Sequence, residues 1–491
     1  MLRAAVALVL VAGAQPLPGW RPSFELVQPE LFSAPGGQAS AWADFDNDGD
    51  PDYFVGFRGR PNRLYRNDNG VFRDVAAEAG IADAIETRAA AWGDFDADGD
   101  ADLYIGLATP EHRGRLYRND GARFVDVAAA AGVDLRGVSR QPAWIDFDGD
   151  GDLDLFAAFR DVPNRLLRND GGRFVDVSQA SGLADSRKTV SAVWWDFDRD
   201  GDLDLFTANQ EGEANGLFRQ DRGGFTDVAV AMGVAGTPRP AADGSVGPAV
   251  ADVDLDGDFD LFVANYGPSA LYRSGEGGRF TEVSRASGID LNGHGVTSAW
   301  GDLDNDGLPD LYVANFIAGQ PHYRDALFHN AGAANGGWRF TAALPDLLVS
   351  HDATHGVQFV DFDGDGALDL ALTNNDPDGG GHPLLRNTSK PDGRALLIDV
   401  TDDRGRRTRA GSEVRTFRAG TRGLLSSGLV DTGSGYCSQN AMPVRLAVPA
   451  SWSGRVDVEV TVFARGQRRA TTVRSVDPGD HRRRPLRIRT P

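Results

Sequence analysis

The sequence predicts an all-β chain, a seven-bladed β-propeller followed by a small β-rich C-terminal domain. Three observations predict it. A nine-residue acidic motif recurs seven times, short strand-like runs surround every copy, and one unmatched strand stands ahead of the first copy. The copies start at Asp44, Asp94, Asp146, Asp196, Asp252, Asp302 and Asp361, at spacings of 50, 52, 50, 56, 50 and 59 residues. Repeats of about 50 residues with four short strands each are the pattern of propeller blades.

Each repeat justifies its strands in turn. The first ends in a large apolar residue two positions before the motif: Trp42, Trp92, Trp144, Trp194, Val250, Trp300 and Phe359. The second follows the motif, as in Leu103-Tyr104-Ile105 and Leu261-Phe262-Val263. The third reads Arg63-Leu64-Tyr65-Arg66-Asn67, Arg115 to Asn119 and Arg165 to Asn169, with weaker versions around Leu217, Leu271, Leu327 and Leu384. The fourth is Gly70 to Val75, with Phe124, Phe174, Phe225, Phe280 and Phe340 as its counterparts. The seventh repeat lacks this strand after Leu384-Leu385-Arg386-Asn387, whereas Ser23-Phe24-Glu25-Leu26-Val27 stands alone. Lent to the last blade, that segment completes seven blades and leaves the ring no free edge.

The motif itself is D-x-D-x-D-G-x-x-D in every copy. Its acids are Asp44, Asp46, Asp48 and Asp52; Asp94, Asp96, Asp98 and Asp102; Asp146, Asp148, Asp150 and Asp154; Asp196, Asp198, Asp200 and Asp204; Asp252, Asp254, Asp256 and Asp260; Asp302, Asp304, Asp306 and Asp310; Asp361, Asp363, Asp365 and Asp369. Four carboxylates in one turn repel one another unless a cation sits among them. Hard oxygen ligands in that number fit Ca²⁺, and the invariant glycine lets the backbone reverse. An EF-hand opens alike but needs a Glu at position 12 and flanking helices. Here position 12 is Val55, Ile105, Ala157, Thr207, Val263, Val313 and Leu372. The expectation is up to seven calcium ions in β-hairpin loops.

Composition agrees. Of 491 residues, 71 are acidic and 50 basic, a net charge of −21. Residues 1–391 hold 61 acids and 31 bases, whereas the rest holds 19 arginines and 10 acids. So acidic a body argues against a nucleic-acid binder, which should present a basic stripe. Met1-Leu2-Arg3, the apolar run Ala4 to Val11 and Ala12-Gly13-Ala14 read as a secretory signal over residues 1–14, which points to a secreted or periplasmic protein. That apolar run is too short to span a bilayer, and no other stretch approaches the length needed. Cys437 is the single cysteine, so no intrachain disulfide framework exists, and a buried, inert thiol is expected.

The loop, the Trp before it, and the L-[YFL]-R-N and F-x-D-V strands after it resemble FG-GAP/VCBS repeats, as in integrin α-chain propellers. This resemblance covers about residues 22–388. The chain as a whole is similar to the cartilage acidic protein-like secreted family, which carries a C-terminal ASPIC/UnbV module. The matching residues are Ala410 to Val414, Gly433-Ser434-Gly435-Tyr436-Cys437-Ser438-Gln439-Asn440, and Val456 to Val460. The match departs where a Phe-Gly-Leu-Gly run and a Trp-Pro belong. Residues 392–491 themselves alternate like β-strands, and a sandwich or partial barrel packed on the propeller is expected.

Topology puts the acidic loops on one face and the interblade loops on the other. Arg88 and Arg140 lie six residues before their loops, the same offset as His355. With His294, His351 and His382 they form a candidate anion- or sugar-binding mouth; the alternative is polar residues that bond neighbouring backbone. His351 and His355 also suit a transition-metal pair or an acid/base. The repeated Trp residues serve either as sugar platforms or as interblade packing. Arg482-Arg483-Arg484 reads as a patch for an acidic partner or as a solvated terminus. No nucleophile or phosphate-binding motif occurs. The expectation is therefore a secreted calcium-binding recognition or adhesion module for an extracellular protein or glycan. The alternative is a propeller enzyme, a polysaccharide lyase or hydrolase or a small-molecule catalyst, with its site opposite the calcium loops.

Overall fold

The computed structural model describes residues 20–236, 238–316, 324–334, 337–349, 353–376, 379–431, 433, 436–440, 443–463 and 466–491. The chain is mostly β, built from repeated four-stranded antiparallel units of the kind that make propeller blades. The first unit is Gly37–Ala43, Asp52–Phe57, Arg63–Asp68 and Val71–Asp74, paired in sequence order. A one-turn helix, Ala76–Ala79, leads to the next unit. The innermost strands of the other six are Thr87–Gly93, Ser139–Ile145, Thr189–Trp195, Gly244–Ala251, Asn292–Gly301 and Thr354–Val360. Each packs beside the next, and Thr354–Val360 packs beside Gly37–Ala43. The inner strands are rich in Ala, Ser and Gly because they crowd together. A Cβ on Gly356, for example, would come within 2.6 Å of Ser40 Oγ.

Two repeated hydrogen bonds join neighbouring units. The indole N–H of Trp92, Trp144 and Trp300 donates to the carbonyl of Ala41, Ala91 and Ala249 in the unit before, at 3.2–3.3 Å. The Trp side chains are buried or half-buried between units, so they are packing residues, not sugar platforms. The carboxamides of Asn119, Asn169, Gln220 and Asn330 donate to Phe45, Phe95, Phe147 and Val253, the second loop residue of the preceding unit, at 2.8–2.9 Å. Asn67 makes the same bond to Phe362 of the seventh unit, at 2.8 Å. Phe24–Val27 pairs antiparallel with Leu384–Asn387, Phe24 opposite Asn387, and supplies that unit's fourth strand as expected.

Beyond residue 391, Val444–Val448, Arg394–Thr401 and Leu486–Arg489 form one sheet. Leu424–Leu429, Glu413–Arg418, Val456–Phe463 and Arg468–Val476 form a second. They share a core that includes Leu396, Ile398, Val414, Val458 and Val460. One short strand leaves this body: Ser438–Gln439 pairs in parallel with Ser40 and Ala41 on the innermost strand of the first unit. Nothing in the sequence pattern announced that pairing.

Removal of residues 20–27 would leave the Leu384–Asn387 edge unpaired, an invitation to strand addition from another copy. The expected outcome is concentration-dependent oligomers by light scattering and a lower melting temperature. A monomer with unchanged melting would show that the N-terminal strand does not close the array.

Candidate functional site

The acidic loops share one construction. The carboxylate at position 9 accepts two backbone N–H groups, one from the third strand and one from loop position 2. For Asp52 these are Asn67 at 2.8 Å and Phe45 at 3.0 Å. The same pair of bonds recurs at Asp102, Asp154, Asp204, Asp260, Asp310 and Asp369. Oδ2 of the position 1 aspartate accepts from the N–H of the position 6 glycine, as Asp44 does from Gly49 at 3.1 Å. The backbone reverses twice, because position 4 also has positive φ: Asn47 (58°), Ala97 (61°), Arg199 (64°), Leu255 (54°) and Asn305 (59°). The sequence shows only the glycine of this pair of reversals.

This geometry gathers oxygens without satisfying them. Oδ1 of Asp44, Asp94, Asp196 and Asp361, all at position 1, is buried with no hydrogen-bond partner, as is Oδ1 of Asp46. Carboxylate oxygens of Asp94, Asp96 and Asp102, of Asp146, Asp148 and Asp154, and of Asp196, Asp198 and Asp204 lie within 4.8 Å of one another. Burial pushes Asp52, Asp154 and Asp204 up to about 9 and Asp102 and Asp260 up to about 8. Burial also raises the position 1 group, Asp44 and Asp94 to about 6 and Asp146, Asp196 and Asp252 to about 7. The position 9 groups hold a proton near neutrality unless a cation replaces it. An all-oxygen donor set with orphaned buried lone pairs fits a hard divalent cation. In the sixth unit His329 takes the place of the third-strand arginine, its Nε2 lying 3.0 Å from Asp304. The equivalent arginines Arg273 and Arg386 reach Asp254 and Asp363 at 2.8 and 2.7 Å.

The sheets beyond residue 391 lie over these loops, and their arginines meet them. Arg468 pairs with Asp196 and, at 2.9 Å, with Glu413. Arg409 lies 3.6 Å from Asp146, and Arg406 3.0 Å from Asp152. Arg445 donates to the Gly366 carbonyl at 2.6 Å, and Arg483 to that of Gly364 at 2.8 Å. Part of the arginine surplus of the last hundred residues is thus spent on the chain's own acidic face. Between the cover and the inner strands lies a cavity of about 930 Å³ lined by Trp194, Ser298, Trp300, Phe359 and Arg407.

At the opposite end the candidate mouth residues separate into two groups. Each innermost strand carries a register shift at one residue: Gln38, Arg88, Arg140, Val190, Val246, Val296 and His355. The common offset of Arg88, Arg140 and His355 is this bulge, a feature that re-aims a side chain. Tyr436, carried in by the segment that includes Ser438–Gln439, meets this ring. Its hydroxyl accepts from Arg140 Nη1 at 3.1 Å, and its ring lies 5.0 Å from that of His355. Tyr436 and Cys437 share a core cluster with Val190, Val246 and Val296. Arg88 Nη1 reaches His355 Nε2 at 3.3 Å, while His355 Nδ1 faces the Gln38 carbonyl at 3.4 Å. Burial and the Arg88 charge hold His355 well below its usual range. Neutral and engaged at both nitrogens, it is spent as a metal ligand or general base. His294 packs on Tyr266 and Phe316 at the rim.

His382 is a correction. It is fully buried, with Nε2 2.6 Å from the Tyr65 hydroxyl and Nδ1 2.9 Å from the Ala34 carbonyl, inside a cage with Phe32 and Phe57. It offers nothing to a ligand, because the loop that carries it turns its ring inward. Burial lowers it to about 4. His351 lies outside the described residues. Cys437 is buried and its thiol is pushed up to about 12 by burial, as expected of an inert thiol. The sequence singled out Tyr436 only through a family motif, and Gln38 through none.

With this geometry in place, comparison with known proteins adds the repeat type. The FG-GAP-like repeat model matches residues 44–105, 146–207, 196–263 and 252–313, so the chain carries FG-GAP-like repeats. Among solved structures it is similar to BBS1N in complex with ARL6DN, with TM-score 0.47 and 9% identity over 76% of this chain and 99% of that one. The SapL1 lectin in complex with alpha methyl fucoside gives TM-score 0.37 and 13% identity over 64% and 98%. The V. cholerae biofilm matrix protein Bap1 gives 0.30 and 13% over 92% and 68%. No curated protein matches.

The raised carboxyl groups fix the sign of the pH dependence. In metal-free protein the folded state keeps protons that the unfolded chain releases above pH about 4. Stability should therefore fall as pH rises from about 4 towards the folded values of about 8 and 9 at Asp102 and Asp154. Thermal melts of chelator-treated protein from pH 5 to 9 check this, and saturating calcium should flatten the slope. A metal-free melting temperature that rises across this range would contradict the burial argument.

Proposed function

We propose that the chain is a secreted, calcium-stabilised seven-bladed β-propeller over residues 22–388 with an ASPIC/UnbV-like domain over 392–491. It acts as a recognition or adhesion module for an extracellular protein or glycan. The observation that carries the calcium assignment is the repeated set of orphaned, buried carboxylate oxygens at loop position 1. The ligand surface is the face away from the loops, because the loop face is covered by the chain's own arginine-bearing sheets. The half-buried aromatic residues Tyr266, His294 and Phe316 on that opposite face, next to Arg88, support recognition of a polar ligand.

Metal analysis of the mature protein should find close to seven calcium ions per chain, lost in EDTA with a large drop in melting temperature. Bound metal stabilises by RT ln(1 + [L]/Kd), roughly 2.7 kcal/mol when calcium is at 100 times Kd. Asp146→Ala should lower the count by one and weaken its own unit. An unchanged count would refute the ligand assignment. Glycan and matrix-protein arrays in calcium test the recognition role; turnover of a substrate with no binding in any array would refute it.

A further inference from the structure

The ring of bulged residues is divided. Gln38, Arg88, Arg140 and His355 come from four consecutive units, counted through the closure, and form a polar arc; Val190, Val246 and Val296 form the apolar remainder. Tyr436 lies against both arcs, so it closes the neck from the loop side and supplies its floor. The polar arc is under-satisfied. Nε of Arg88, Nε of Arg140 and Oε1 of Gln38 are all buried without a partner. Arg140 is 6% exposed and Gln38 0%. Among the described residues Arg140 has no carboxylate within ion-pair distance, and Arg88 has only Glu86, at 3.7 Å. Glu86 is shared with the Gln38 carboxamide at 3.3 Å and lies 4.0 Å from Arg58. Arg88 thus shares its one carboxylate with Gln38 and Arg58, and Arg140 has none among the described residues. A buried, unpaired charge is costly, and a site that tolerates one is built for a counter-ion.

We infer that this composite neck, closed by the chain's own Tyr436, binds the carboxylate of an acidic sugar. Arg88 and Arg140 take the oxyanion, for which planar guanidinium groups are suited by geometry. Gln38 Oε1 accepts a hydroxyl of the same ligand. His355, held neutral by burial and by the Arg88 charge, adds no competing charge and fixes the Arg88 fork. Tyr266, His294 and Phe316 outside the ring offer the apolar faces against which a pyranose packs. The site needs both parts of the chain, since the ring without Tyr436 has no floor.

This inference rests on the proposed recognition role of the same face, and the experiment separates the two. Titration calorimetry on the full mature chain in calcium would use glucuronate, glucose and inorganic sulfate as probes. Glucuronate should bind and glucose should not. Arg140→Gln should weaken glucuronate at least tenfold, and Tyr436→Phe, which keeps the floor but loses the hydroxyl that orients Arg140, should weaken it less. Melting in calcium and calcium content confirm that each variant is folded. Should Arg140→Gln fail to fold, Arg88→Gln, at the more open edge of the arc, takes its place. Sulfate binding as tight as glucuronate would overturn the sugar assignment, because the hydroxyl and ring contacts would then contribute nothing. Absence of glucuronate binding to the parent protein, or equal binding by the Arg variants, would overturn the site. An array ligand still bound by folded Arg140→Gln would leave the recognition role standing and this inference refuted.

Discussion

The structure depends on one constraint, the packing of like-charged carboxylates in a short loop at the end of every unit. The position 9 carboxylate carries most of it. Buried beneath the loop, Asp52 ties position 2 to the third strand through two backbone N–H groups, bonds of the charge-assisted kind worth about 1.5–3 kcal/mol each. The residue it holds on the third strand, Asn67, is the one whose carboxamide reaches the neighbouring unit. Loop, strand and interblade contact are therefore one connected device. Asn119 and Asp102 repeat it, as do Asn169 and Asp154. A carboxylate that lost its charge there would still accept, but less strongly. A cation that kept it ionised would thus act on the cohesion between units as well as on the loop.

What the sequence could and could not convey follows from whether a feature is local and periodic. The loops and the closing strand Phe24–Val27 recur at fixed spacing or complete a visible gap, and period alone exposes them. The six-residue offset shared by Arg88, Arg140 and His355 was also visible, although its cause, a bulge that turns one side chain out of the ladder, is a backbone event with no residue signature. Position 4 of the loop shows this plainly: Asn, Ala, Arg, Leu and Gly all occupy a left-handed conformation there, because the loop imposes it. His382 was misplaced for the opposite reason. Chain order puts it on the mouth face, but a hydrogen bond to the buried Tyr65 hydroxyl draws its ring into the core.

The deepest omission was the pairing of Ser438 with Ser40, nearly the whole chain apart. Pairings of that separation leave no periodic trace, since a two-residue strand is too short to pattern. Yet its consequences are large. Gln439 accepts from and donates to the backbone of Trp92, at 2.6 and 3.1 Å, so the inserted segment completes hydrogen bonds of an inner strand. Cys437 adopts φ of 60°, a conformation unfavourable for a residue with a Cβ, which the surrounding contacts enforce. The segment packs against the neck residues, which have the surroundings they do because of it.

The arginines that cover the loop face and the cation expected within each loop meet the same carboxylates without competing for the same atoms. Arg468, Arg409 and Arg445 all approach Oδ2 of their position 1 aspartate, at Asp196, Asp146 and Asp361. Oδ1 of Asp196 and Asp361 remains buried and unpartnered on the inner side. The two oxygens divide the work, one for the cover and one for the cation. Charge makes the division stable: four carboxylates around one divalent ion leave two negative charges. In the seventh unit Arg386 on the third strand and Arg445 from above answer them, and in the fourth Arg219 and Arg468 do. A loaded loop is therefore still an anion to its surroundings. An arginine-rich cover therefore suits loops able to hold a cation, and without the cation the mutual repulsion of the loop carboxylates would be only partly offset by those arginines.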